Sequence, residues 1–155
     1  MKKIAVFPGS FDPITIGHVD IVKRALPLFD KIIIAIGENV NKKYLFPLEQ
    51  RLEWLNKVFK DEAKVTCTVY EGLTIDFCKK QHAHYLLRGI RSSADFEYER
   101  TIAHINNTLH GDIETIFILS KPELSFVSSS IVREILRAGG NANKFLPEEV
   151  FRNLK

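Results

Sequence analysis

Five short polar stretches hold the residues that could do chemistry, and they share a bias toward cations and hydroxyls. Residues 8–18 contain Ser10, Phe11, Thr15, Gly17 and His18, and residues 37–43 contain Lys42. Residues 71–74 end in Thr74, residues 88–93 hold Arg88, Gly89, Ile90 and Arg91, and residues 120–130 close on Ser128, Ser129 and Ser130. Guanidinium forks, an ammonium and hydroxyls are the donors that suit phosphate oxygens. His18 falls in the first turn of an expected helix, where backbone N–H groups and the helix dipole favour an anion. An imidazole beside a bound phosphate can donate a hydrogen bond to charge that grows in a transition state. Gly17 lets the backbone approach without a side chain in the way. Taken singly, each feature has an ordinary structural explanation: a solvated loop lysine, a turn glycine, a helix-capping serine. Their meaning depends on whether the fold brings them to one place.

The elements between these stretches answer that. Short apolar, β-rich runs at 4–7, 31–36, 65–70, 85–87 and 115–119 alternate with helical patterns at 18–28, 47–59, 74–81, 95–109, 128–137 and 147–153. Leu48, Leu52, Leu55 and Phe59 share one helical face, and Pro47 suits the first turn. Thr74 is a possible helix cap, and Gly139-Gly140 stops the helix before it. Phe96, Ile102, Ala103 and Ile105 could form an apolar face on the long helix, where Tyr98 suits packing and ligand contact about equally. Strand–helix alternation predicts an α/β fold: one Rossmann-like domain over residues 1–155, a five-stranded parallel sheet with helices on both faces. Ligands of such sheets bind beyond the carboxyl ends of the strands. All five polar stretches follow strands, so they gather on one edge as a polyanion site.

Bulk properties narrow the class. A composition 45% hydrophobic and 26% charged is that of a globular protein with a real core. The net charge of +3 fits an anionic substrate but is too small to indicate nucleic acid or a membrane surface. Cys67 and Cys78 have no zinc spacing, and Cys78, between apolar neighbours, is expected in the core. The apolar run after the first lysines is too short for a signal peptide, and no stretch reaches membrane-span length, so a cytoplasmic protein is expected.

Thr15-Ile16-Gly17-His18 matches the [T/H]-x-G-H signature of the nucleotidyltransferase superfamily, and residues 127–133, Val-Ser-Ser-Ser-Ile-Val-Arg, resemble the second signature of its small members. The blocks at 8–15, 87–91, 95–99 and 145–147 narrow the likeness: nearly the whole chain resembles the bacterial phosphopantetheine adenylyltransferases. That resemblance implies transfer of the adenylyl group of ATP to 4′-phosphopantetheine, giving dephospho-coenzyme A and pyrophosphate, with Mg2+ and usually as a homohexamer. It implies that Ser10, Lys42, Thr74 and Arg88 meet the acceptor. It places ATP against Ser10, Phe11, His18, Gly89, Ile90, Arg91, Glu99, Leu124, Ser125, Phe126, Val127, Ser128, Ser129 and Ser130, with His18, Lys42 and Arg91 as catalytic residues. The chain departs from the pattern in four places. Ser10 replaces a common threonine, Ile16 a polar residue, Leu124 an aromatic, and Thr74 a larger apolar residue.

The chemistry fits a site rich in cations. A phosphate monoester has a second pKa of about 6, so the attacking oxygen is ionised at neutral pH without a general base. The expected step is in-line attack on the α-phosphorus with no covalent intermediate. His18 and Lys42 would stabilise charge on the α-phosphate, and Arg91 with the amides of Ser128 to Ser130 would hold the leaving pyrophosphate. The rival expectations are another small nucleotidyltransferase, such as one acting on nicotinate mononucleotide, and a non-catalytic adenine-nucleotide sensor.

Overall fold

The structure, a computed structural model, describes residues 1–154. Its sheet has the order β3-β2-β1-β4-β5, with every pairing parallel. The strands are β1 (Ile4–Gly9), β2 (Lys31–Gly37), β3 (Val65–Tyr70), β4 (Tyr85–Ile90) and β5 (Glu114–Leu119). The chain builds outward from β1 to β3, then returns to place β4 on the other side of β1. The order therefore reverses between β1 and β4, and the ends of those two strands splay apart there.

Side-chain alternation along the strands divides the core in two. Ala5, Phe7, Ile32, Ile34 and Ile36 face α1 (Ile16–Ala25), α2 (Leu48–Val58), α5 (Ser129–Arg137) and α6 (Glu148–Phe151). Val6, Ile33 and Ala35 face α3 (Thr74–Lys80), whose Ile75, Phe77 and Cys78 close the other side. Helices thus cover both faces, as expected, and Cys78 is a core residue. The last long helix, α4 (Ser93–Leu109), crosses β4 and β5 with Phe96 edge-on to Phe117 at 5.8 Å. It buries no residue fully; Tyr98 is 67% exposed. Among the described residues, no helix is long and apolar enough to cross a membrane.

Several boundaries differ from expectation for identifiable reasons. The first helix starts at Ile16, because Thr15 caps it, and gives way at Leu26 to a 3₁₀ turn, because Pro27 has no N–H to continue the ladder. Pro47 takes the cap position of α2 rather than its first turn. The fourth strand runs to Ile90 rather than residue 87, because Arg88, Gly89 and Ile90 pair with Phe117, Ile118 and Leu119. Arginine and glycine are poor strand formers, which is why the sequence suggests an earlier end. Gly89 packs closely under α1: a Cβ there would lie 3.1 Å from Ile21 Cγ1, so a larger residue would have to push that side chain aside. The consequence for the site is that Arg88 and Gly89 sit on a rigid strand rather than in a loop.

Candidate active site

A cleft of about 290 Å³ opens where β1 and β4 diverge. Its floor is the turn from β1 to α1. Phe11 adopts φ +46°, an unfavourable value for a bulky residue. Its buried ring packs edge-on to Phe7 at 5.6 Å and to His18 at 5.1 Å. Such strain persists only where surrounding packing over-determines it, and it clusters at functional sites.

His18 is held in a reciprocal cap. Thr15 Oγ1 accepts from the His18 N–H, while the Thr15 N–H donates to His18 Nδ1 at 3.0 Å. With Nδ1 acting as acceptor, the neutral ring carries its proton on Nε2, the donor left to the cleft that His18 lines. Burial, helped by the nearby Arg91 and Arg88 charges, lowers the His18 pKa to about 4. At neutral pH the cleft therefore holds an uncharged hydrogen-bond donor rather than an imidazolium.

The cations around it are bonded in advance. Lys42 Nζ lies 3.0 Å from Ser10 Oγ. Arg88 grips both carboxylate oxygens of Glu99, with Nε at 2.9 Å from Oε2, and donates from Nη1 to the Pro8 carbonyl at 2.8 Å. Two of its five N–H groups remain for a ligand. Glu99, expected at the ATP site, lines this cleft and has both carboxylate oxygens bonded to Arg88. Arg91 donates from Nε to Asp95 at 3.2 Å and from Nη1 to the Val127 carbonyl at 3.5 Å.

The serine run divides its labour. Ser128 Oγ accepts from Ile131 N as the cap of α5, Ser129 Oγ donates to the Pro13 carbonyl, and Ser130 Oγ accepts from Arg133 Nη2. All three serines line the cleft, and the first amides of α5, which have no acceptor within the helix, are available there as anion donors. Of the other expected residues, Gly89 and Val127 line the cleft. Ile90 is buried in β4, where its side chain serves packing. Leu124, Ser125 and Phe126 lie on and after a 3₁₀ turn and do not line the cleft, although Ser120 before them and Val127 after them do. Arg133, which donates to the Asp12 carbonyl at 2.9 Å and also lines the cleft, escaped the expected set, although its motif contains it.

A second cleft, of about 460 Å³, adjoins the first and shares Pro8, Gly9, Ser10, Arg88 and Glu99 with it. Ile102, Ala103 and Ile105 of α4 give it an apolar wall, so three residues of the face predicted on that helix line a cleft, while Phe96 packs on Phe117. Opposite lies Thr74, which does not cap α3: the cap position is Leu73, and no side chain caps it. The Thr74 hydroxyl instead lies 2.7 Å from Tyr70 Oη. The Tyr70 ring stacks on Phe77, and Gly37 leaves room for its hydroxyl, since a Cβ there would lie 2.9 Å away. Sequence reasoning missed Tyr70 because a tyrosine ending a strand looks like core.

The donor set argues against a protein cage for Mg2+. Among the described residues no three His, Cys, Asp or Glu side chains gather. The two carboxylates lining the first cleft, Asp95 and Glu99, are each engaged by an arginine.

Comparison with known proteins places this geometry. Residues 6–135 match the cytidylyltransferase-like family model. A Flavobacterium johnsoniae protein named phosphopantetheine adenylyltransferase is 58% identical over 150 residues, covering 97% of each chain. A Crocosphaera subtropica protein of the same name is 47% identical over 152 residues, covering 98% of this chain and 97% of its own. In three dimensions, the crystal structure of a Vibrio parahaemolyticus protein assigned as a nicotinate-nucleotide adenylyltransferase superposes with a TM-score of 0.68 over 96% of both chains. At 19% identity that likeness speaks for the fold alone. Two full-length matches near half identity or above, on a fold that gathers the motif residues into one cleft, show that the chain belongs to the phosphopantetheine adenylyltransferase family.

Proposed function

We propose that the two adjoining clefts hold the two substrates of one transfer: ATP in the polar cleft and 4′-phosphopantetheine in the apolar one. The products are dephospho-coenzyme A and pyrophosphate. The observation that carries this is the shared rim. Ser10 and Arg88 border both clefts, so an acceptor phosphate held there lies beside the cleft that His18 lines. The apolar wall of α4 suits a long, uncharged arm, and the cations suit a triphosphate.

The acceptor phosphate supplies its own nucleophile. An ionised oxygen attacks the α-phosphorus of ATP, the new P–O bond forms, and the bond to the β-phosphate oxygen breaks. The electron pair leaves with pyrophosphate, and no proton is removed. Lys42 and the free donors of Arg88 hold the attacking phosphate, offsetting the repulsion between two anions. The Nε2–H of His18, with Lys42, stabilises charge on the α-phosphate, and its neutral state lets it donate without adding a desolvated cation. Arg91 and the first amides of α5 receive the pyrophosphate. Magnesium is expected to arrive on phosphate oxygens and water, as this ion commonly does, since the cleft's carboxylates are committed elsewhere. The free cysteines suit a reducing compartment, and we place the enzyme in the cytoplasm. Membership of the family suggests a homohexamer, whose mass light scattering would measure.

The test is pyrophosphate release from purified protein given ATP, Mg2+ and 4′-phosphopantetheine, with nicotinate mononucleotide as a parallel acceptor. Release only with phosphopantetheine, and dephospho-coenzyme A detected by mass, is expected. Release with nicotinate mononucleotide alone, or ATP binding with no release from either, overturns the assignment.

A further inference from the structure

Two charged side chains that line neither substrate cleft are almost fully buried: Asp12 at 1% and Arg51 at 2% exposure. Their partners are neutral. Arg51, in the first turns of α2, donates from Nη1 to the Ser10 carbonyl at 2.7 Å and from Nε to the Phe46 carbonyl at 3.1 Å. Its guanidinium lies over the Tyr44 ring at 4.1 Å. The Asp12 carboxylate accepts from the Leu45 N–H at 2.8 Å and the Phe46 N–H at 2.9 Å. Burying charges is costly unless hydrogen bonds replace the lost water, and an apolar side chain would fill the same space without that cost. What the charges supply instead is directed bonding between two segments. One is the turn carrying Ser10. The other connects β2 to α2 and carries Lys42.

These bonds hold Ser10 and the residues just after Lys42. Lys42 Nζ reaches Ser10 Oγ, so Ser10 is gripped through its carbonyl by Arg51 and through its hydroxyl by Lys42. The Tyr44 ring stands near both cations, with Lys42 Nζ 5.6 Å from its centroid. A π-face attracts each cation and fixes its approach. We infer that Arg51 is a positioning residue for the transfer: with Asp12 and Tyr44 it clamps the β2–α2 connection onto the β1–α1 turn and sets Lys42 against Ser10. This rests on the transfer reading given above.

The experiment is a double-mutant cycle on the full chain, measuring kcat and both KM values. Displacing a catalytic group by about 1 Å can cost of order 10²-fold. Arg51→Lys, which keeps the charge but loses the fork, and Arg51→Met should therefore lower kcat by roughly 10–100-fold, with a smaller rise in KM for ATP. In a Lys42→Ala background, where there is no amine left to place, the same changes should cost about 2-fold or less. Equal losses in both backgrounds, or unchanged kcat in both single variants, overturn the inference, since a purely structural role acts alike with and without Lys42. Should Arg51→Met fail to melt cooperatively, Tyr44→Leu takes its place in the cycle under the same criteria. A readout independent of turnover separates the clamp from the reaction: competitive acetylation of Lys42 Nζ, followed by mass spectrometry. Wild-type protein that is inactive with phosphopantetheine defeats the transfer reading. The clamp then stands if Lys42 is acetylated several-fold faster in Arg51→Lys than in wild type, and falls if the rates are equal.

Discussion

The two clefts meet at Arg88 and Ser10 yet are built on opposite principles. In the polar cleft nearly every charged group already has a protein partner: Arg88 with Glu99, Arg91 with Asp95, Lys42 with Ser10. In the other, apolar residues of α4 stand open, and the polar side chains facing them include one hydroxyl pair, Tyr70 and Thr74. The difference fits the proposed division of the two substrates between the clefts. Charge developing in a transition state is best met by dipoles and cations that need not reorganise, so their bonds form on folding. A flexible acceptor arm is bound by removing apolar surface from water, which needs area rather than fixed direction.

Replacing His18 by alanine tests the polar side most severely. By comparison with the loss of one oxyanion donor, kcat should fall roughly 10²–10³-fold while ATP binding changes far less. Near-normal kcat would remove the contrast between directed and undirected binding. Almost as large is the expected shift in the His18 titration. Nitrogen-15 NMR should give a midpoint of about 4 rather than 6.5. The sign follows from linkage: between those values the unfolded chain takes up a proton that the folded ring refuses. Stability is therefore intact above about pH 6.5 and is lost as pH falls toward 4. A midpoint near 6.5 would leave a minor imidazolium population at about pH 7 and would show that the cleft does not enforce the neutral ring.

Glu99→Gln probes the shared rim. Hydrogen bonds to charged groups are worth about 1.5–3 kcal/mol, so loosening Arg88 should lower kcat/KM by roughly 10–100-fold for both substrates. A loss confined to ATP would show that Arg88 serves only one cleft. The smallest effect belongs to Tyr70→Phe. Losing one neutral hydrogen-bonding group should raise KM for phosphopantetheine about 2–10-fold and leave KM for ATP unchanged. No change in either would show that the Tyr70 hydroxyl takes no part in binding the acceptor.

The site was legible where chemistry and position coincide. His18, Lys42, Ser10 and Arg91 have the right residue types and follow strands, so the sheet rule alone gathers them. Arg51 and Tyr70 were not legible in the same way. An arginine on an amphipathic helix looks like solvated surface, and a tyrosine closing a strand looks like core. Which carbonyl a guanidinium reaches depends on how α2 packs on the sheet, and no local pattern encodes that. Glu99 was singled out, but its pairing with Arg88 was invisible, because the two are brought together by the crossing of α4 over β4.

By itself, the sequence determined the alternation of strands and helices, the parallel sheet, and the cationic, hydroxyl-rich edge. These follow from hydrophobic periodicity and from the rule that parallel strands need crossovers, both local properties of the chain. The tertiary structure alone decided which cations are free and which are paired, which ring nitrogen of His18 bears the proton, and that two clefts share one rim. Those depend on distances between residues remote in sequence, and hydrogen bonding and burial act through space rather than along the chain.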